Sequence, residues 1–96
     1  MNIQILTEAK NDIAKGADFY ESQSLGLGQY FLNTIFADIE SLRIYCCVHI
    51  KIENYYRLLS KRFPYAIYYK YSDETVYIYA VLGTRMDPYN LNGRLV

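Results

Sequence analysis

Ninety-six residues, with ten Lys and Arg balanced against ten Asp and Glu, make one domain (residues 1–96) just large enough for a single core. Apolar residues are 52% of the chain and Tyr accounts for 12 residues beside 4 Phe, so many rings carry a hydroxyl that belongs at the rim of a core or on a surface. No run approaches the length needed to span a bilayer, which excludes a helical membrane protein, and the neutral total argues against a strong nucleic-acid binder.

The opening Met1–Leu6 lacks the basic start and long apolar stretch of a signal peptide, so a cytoplasmic location is expected. Ile3 to Leu6 reads as a short strand. Thr7 follows where a helix N-cap belongs, with Glu8 in the first turn, where its charge suits the helix dipole. Leu6, Ala9, Ile13, Ala17 and Tyr20 recur at spacings of three and four, one face of a helix ending near Gln23. Gly16 weakens that helix somewhat. Ser24–Gly28 is a tight connection, and a second helix is predicted from about Gly28 to Tyr45, with Leu27, Phe31, Ile35, Ile39 and Leu42 as its stripe and Phe36 flanking. So short a loop favours an antiparallel helical hairpin.

After Cys47 the apolar period drops from 3.6 to two. Val48–Ile52 is a short strand or an extended link, Tyr55–Lys61 a strand, Arg62-Phe63-Pro64 its corner, and Tyr65–Tyr71 the next strand. Ser72-Asp73-Glu74 is a hairpin loop. In the strand Thr75–Leu82, Val76, Ile78, Ala80 and Leu82 alternate with Tyr77, Tyr79 and Val81, which predicts one face against the helices and one lined by tyrosine. The tail from Pro88 to Val96 reads as irregular. The expected fold is α+β: a helical hairpin on one face of a small, mainly antiparallel sheet, in the order β-α-α-β-β-β.

Charge is unevenly spread. Residues 1–42 carry Lys10 and Lys15 against Glu8, Asp12, Asp18, Glu21, Asp38 and Glu40. Residues 43–96 carry Arg43, Lys51, Arg57, Lys61, Arg62, Lys70, Arg85 and Arg94 against Glu53, Asp73, Glu74 and Asp87, so an anionic partner is expected to meet the second part of the chain. The adjacent Cys46 and Cys47 match no metal spacing, and neighbours in sequence rarely pair, so they read as two free thiols; no metal and no cofactor is expected.

Four pieces of the sequence resemble the RelE/ParE superfamily of bacterial toxins from type II toxin–antitoxin (plasmid stabilisation) modules. They are Asp12-Ile13 to Tyr20-Glu21, a D-I-x-x-G-x-x-F-Y-E pattern; Gly26-Leu27-Gly28 to Phe31, a G-L-G-x-x-F start of a second helix; Tyr56 to Tyr69; and Ala80 to Pro88. The resemblance covers nearly the whole chain and implies the fold just read. It further implies a cognate antitoxin protein as partner and one of two targets. ParE-like members poison DNA gyrase, and RelE-like members cut messenger RNA in the ribosome. The motifs here are nearer the ParE side.

Metal-free RNA cleavage needs a group to activate a 2′-hydroxyl, cations for the crowded phosphate and a proton donor. Arg57, Arg62 and Arg85 are candidate catalytic cations, with Tyr89 as a stacking or proton-donating group. By the resemblance Arg57 and Arg85 match sheet arginines of RelE-like enzymes. Gly83 stands where many relatives have histidine and Met86 where they have a second arginine, which leaves the catalytic set incomplete. For target binding the candidates are Arg57, Lys61 and Arg85, with Arg57 and Lys61 on one strand face by parity. Arg85 at a strand end is the strongest, against the plainer reading of a local ion pair with Asp87. His49, Lys51 and Lys70 read as solvated. Phe19, Tyr20, Phe31 and Phe36 are candidates for an antitoxin-binding groove, against the plainer reading that all four are core. A binding module with no remaining activity is the third reading.

Overall fold

In a computed structural model residues 1–85 are described; Met86, Asp87, Pro88, Tyr89 and the rest of the tail lie outside the described residues. β1 (Asn2–Ile5) leads into α1 (Thr7–Gln23), α2 (Leu27–Glu40) and a single turn, α3 (Leu42–Tyr45). A meander follows: β2 (Ile50–Ile52), β3 (Tyr55–Leu59), β4 (Tyr65–Ser72) and β5 (Thr75–Gly83). The sheet order is β1-β5-β4-β3-β2, with β1 parallel to β5 and every other pair antiparallel. This is the expected α+β architecture. Among the described residues no helix is long and apolar enough to cross a membrane.

The helical hairpin is shaped by two close approaches. At Gly28 a β-carbon would stand 2.6 Å from the Ala17 carbonyl oxygen, so only hydrogen lets α2 start against α1. At Gly16 a β-carbon would meet the Phe31 ring at 2.6 Å. Gly16 thus has a packing reason: the helix propensity it lacks is given up so that Phe31 can lie against α1. Glu21 then closes the loop. Its carboxylate accepts the backbone N–H of Gly26 at 3.0 Å and of Gly28 at 2.9 Å, which satisfies two N–H groups at the start of α2 and lowers the pKa of the acid.

Three details differ from the sequence reading. Thr7 is the first helical residue of α1 and not its cap; Leu6 occupies the cap position without a side-chain bond. The second helix is interrupted at Ser41, whose hydroxyl donates to the Asp38 carbonyl at 2.6 Å and competes with the backbone ladder there. The largest difference is in β5. Tyr68 pairs with Ala80 but Tyr69 pairs with Ile78, so Tyr79 is an extra residue, a β-bulge. Strict alternation breaks at that point. Val76, Ile78 and Val81 join Ala9, Ile13, Phe31, Ile35, Ile39, Leu42, Ile67 and Tyr69 in the core beneath the helices. Ala80 and Leu82 turn to the opposite face with Tyr79, in a second cluster with Tyr55, Ala66 and Tyr68.

The β2–β3 and β4–β5 connections are two-residue hairpins, Glu53-Asn54 and Asp73-Glu74, with positive φ at all four residues, as type I′ turns require. Where β1 ends, at its Ile5–Ile78 pair, the edge of β5 would be bare. Asp12 of α1 covers it by accepting the Val81 N–H at 3.0 Å.

Gly28→Ala forces a methyl group onto a backbone oxygen that cannot swing away. It is expected to destabilise the fold by about 1–3 kcal/mol in urea denaturation, while the neighbouring exposed Gln29→Ala changes stability by about 0.5 kcal/mol or less.

Candidate functional site

The Phe63-Pro64 corner organises one end of the molecule. Phe63 is buried with Tyr20 (centroids 4.7 Å apart) and Phe31 (5.1 Å), and Tyr20 also approaches Tyr65 (6.1 Å). The Pro64 carbonyl accepts the Thr84 N–H at 2.8 Å and its hydroxyl at 3.3 Å. The corner between β3 and β4 therefore holds the chain as it leaves β5, and so fixes the backbone that carries Arg85. Arg85 is exposed, and its charge acts on Tyr20, whose pKa is raised by burial against that influence. A cleft of about 310 Å³ opens between α1 and the end of β5, lined by Asp12, Lys15, Phe19, Tyr65 and Leu82 among others.

Lys61 and Arg62 lie past the end of β3, so strand parity does not govern them. Both belong to the corner, facing α2. Arg62 donates to the Tyr30 hydroxyl at 2.6 Å with its guanidinium 5.9 Å from that ring's centroid. Lys61 and Arg62 both act on Asp38. Burial raises the Asp38 pKa, and the Ser60 hydroxyl and the two cations oppose it. Asp38 Oδ2 and Ser60 Oγ are buried, and neither has a hydrogen bond of good geometry.

Arg57 belongs to the face turned away from the helices. Its Nε lies 3.3 Å from the Tyr68 hydroxyl, to which it donates. On the same face Lys70 sits over the Tyr55 ring at 4.5 Å and the Tyr79 ring at 5.5 Å, with those rings edge to face 5.0 Å apart. Lys70 is thus a member of a cation–aromatic cluster and not a solvated lysine. The register that pairs Tyr56 with Tyr69 puts Lys70 opposite Tyr55, so only strand pairing reveals the contact. Tyr79 meets Tyr55 because the bulge re-aims it. Lys51 likewise stands 4.9 Å from the Tyr56 centroid, on the helix side.

His49 is half-buried, with Nδ1 2.6 Å from the Tyr69 hydroxyl and its ring edge-on to Tyr69, so it is not a solvated loop residue. Burial lowers its pKa below the ordinary value of 6.5. The Tyr69 hydroxyl also accepts the Cys47 N–H at 3.0 Å, and its own pKa is pushed up to about 12, chiefly by burial.

The four aromatics expected in a groove separate by depth. Phe31 is 0% exposed and lies in the core, where it supports Tyr20 from beneath; Tyr20 is half-buried; Phe19 and Phe36 are 54% and 46% exposed. Phe36 borders an apolar groove of about 440 Å³ between α1 and α2, lined also by Ile5, Ile13, Ala14, Ala17 and Leu32, with Lys10 and Asp18 at its rim.

The candidates of the sequence therefore fall on three surfaces. Arg85, Lys61 and Arg62 attach to the Phe63-Pro64 corner, and Phe19 borders the cleft there; Arg57 lies on the far face; Phe36 lines the helical groove. The strand register separates Arg57 from Arg85. Arg57 shares its rung with Tyr68 and Ala80, while Arg85 comes after the Tyr65–Gly83 rung at the end of the strand. Tyr89, and Asp87 as a partner for Arg85, lie outside the described residues. Asp12, which joins α1 to the edge of β5, escaped the sequence reading because only the tertiary fold brings it there. Among the described residues no group of three or more His, Cys, Asp or Glu is placed to hold a metal ion.

No protein-family model matches this chain, and no curated protein matches it. Among solved structures the chain is similar to one described as a chromosomal ParDE TA system from P. aeruginosa, with 14% identity, a TM-score of 0.71, and 86% of this chain and 95% of that chain covered. At that identity the likeness is one of fold: the strand, helical hairpin and meander follow the same architecture in both.

The lowered pKa of His49 makes a testable statement about stability. The folded state takes up the imidazole proton at a lower pH than the unfolded chain does. The contribution of neutral His49 is complete above about pH 6.5 and is lost as pH falls from there through the folded-state pKa. The drop in urea midpoint from pH 7.5 to pH 5 is expected to be larger in the native chain than in His49→Gln.

Proposed function

We propose that this chain is the toxin component of a type II toxin–antitoxin module, a ParE-like growth inhibitor that poisons DNA gyrase and is neutralised by a cognate antitoxin protein. The observation that carries the reading is the fold itself. It follows a ParDE structure over 86% of the chain, and the four sequence pieces that resemble these toxins fall, within the described residues, on α1, α2, β3–β4 and the end of β5.

The antitoxin is assigned to the helical hairpin. The groove floored by Ile13, Ala14, Ala17 and Leu32 presents apolar surface bordered by Phe36, with one cation and one anion at its rim. An amphipathic segment that orders on binding suits such a groove, with side chains at helical or strand spacing entering it. The target is assigned to the corner, where Arg85 is exposed on backbone held by Pro64, with Lys61 and Arg62 nearby. A cation presented by a rigid scaffold is suited to an acidic protein or nucleic-acid surface.

Two features favour a non-enzymatic inhibitor over a messenger-RNA endoribonuclease that acts on the ribosome. Arg57 bonds Tyr68 on the face turned from the helices, whereas Arg85 follows the last rung of β5 at the corner. The imidazole of His49, a natural acid or base near neutral pH, is engaged with Tyr69.

Purified protein is expected to trap gyrase on DNA, seen as accumulated cleaved plasmid, and to induce a DNA-damage response when expressed without antitoxin. Intact gyrase activity, together with A-site cuts in translated messages that vanish in Arg57→Ala or Arg85→Ala, would replace this reading with the nuclease. Harmless overexpression would leave only a binding module. Within the toxin reading, Phe36→Asp should weaken antitoxin binding about tenfold or more without altering target inhibition. Arg85→Ala should do the reverse, as measured by titration calorimetry beside the gyrase assay.

A further inference from the structure

Cys46 and Cys47 follow α3 at a tight turn. Their sulfurs are 2.8 Å apart, closer than two unbonded sulfurs rest when nothing passes between them. Both residues are half-buried, so small solutes reach them while neighbouring chains do so less readily. Cys47 adopts φ +73°, a left-handed conformation that residues bearing a β-carbon seldom take. It is held there from the core: its N–H donates to the hydroxyl of Tyr69, which is 0% exposed and also bonds His49. Tyr56 stacks on Tyr69 with centroids 5.2 Å apart, which closes the other side of the network.

We infer that Cys46 and Cys47 form a reversible oxidation site, closed to a vicinal disulfide by a hydroperoxide, and that closure is transmitted to the core through the Cys47–Tyr69 bond. The order of events follows from the surroundings. Burial and the neighbouring Cys47 push the Cys46 thiol up to about 12, which disfavours its thiolate, and the first attack is assigned to Cys47, held in place by its bond to Tyr69. The Cys47 sulfur takes the distal oxygen of the hydroperoxide, the O–O bond breaks, and an alcohol or water leaves with the Cys47 proton. Cys47 is then a sulfenic acid. The Cys46 sulfur attacks the Cys47 sulfur, the S–O bond breaks, and the hydroxide departs as water with the Cys46 proton. Each sulfur gives up one electron and the peroxide oxygens gain both.

Two adjacent residues lie only about 3.8 Å apart at their α-carbons, short of the usual disulfide span. The bond is therefore strained and easily reduced, as suits a reversible modification rather than a structural staple. Closing the ring turns the peptide that presents the Cys47 N–H, which withdraws it from Tyr69. The inference does not rest on the toxin reading and is tested on the protein alone.

The reduced full-length chain is treated with hydrogen peroxide at near-stoichiometric concentration. Both thiols are expected to escape labelling together, the chain to stay monomeric on a non-reducing gel, and the peptide containing both cysteines to be lighter by two hydrogens, all reversed by dithiothreitol. The melting temperature should fall on oxidation, and that fall should be at least halved in Tyr69→Phe, which keeps the thiols and lacks the acceptor. Cys46→Ser should stop at a dimedone-trappable sulfenic acid on Cys47. Sulfinic or sulfonic acid on a single cysteine, chain-to-chain disulfides, or a closed disulfide with an unchanged melting temperature would each overturn the inference. The mass and thiol count of the native chain decide the site even where a variant does not fold.

Discussion

The contact between Phe31 and the bare backbone of Gly16 is the constraint from which the remainder of this molecule is built. It sets how near α2 lies to α1, and Gly28 repeats the same device at the loop end. With the helices so close, their joint apolar face matches the helix-facing side of the sheet, and Phe31 reaches Phe63 and Tyr65. The corner of the meander is thereby tied to the hairpin. The backbone that carries Arg85 is in turn tied to the corner through the Pro64 carbonyl. One missing side chain thus governs the placement of a charged group on the opposite layer, because interiors packed at crystal density pass displacements on rather than absorb them.

Much of this was legible in the residues. The switch from a period near 3.6 to a period near two located the hairpin and the meander, and, of the stripe, Phe31, Ile35, Ile39 and Leu42 proved buried while Leu27 is half-buried. What escaped has a common cause: it depends on partners that only the folded chain supplies. The bulge at Tyr79 inverts the alternation of β5 because β4 and β5 slip by one residue, and nothing in β5 alone announces it. The tether of Asp12 to Val81 joins a helix to a strand 69 residues away. His49 and Lys70 looked solvated because the rings that hold them, Tyr69, Tyr55 and Tyr79, are brought to them by pairing.

The abundance of tyrosine becomes intelligible in this light. Its rings fill both faces of a sheet that has helices on only one side, and several hydroxyls take up defined donors: Arg57 at Tyr68, Arg62 at Tyr30, and the Cys47 N–H at Tyr69. A phenol joins an apolar interior to a charged periphery without the desolvation cost of a buried ion. Among the described residues Lys51, Arg57, Arg62 and Lys70 are in this way set against tyrosine rings or hydroxyls.

The parallel docking of β1 on β5 has a consequence for how the chain reaches this state. Asn2 finds its partner only at Thr75, so β1, made before the helices, must wait for the strand made last in the meander. The hairpin of helices needs only near neighbours and is free to assemble early, whereas the sheet's final seam is its most non-local event and sets the pace of folding. Until that seam closes, an apolar edge is open to other nascent chains, and the surfaces assigned to partner and target exist only in part.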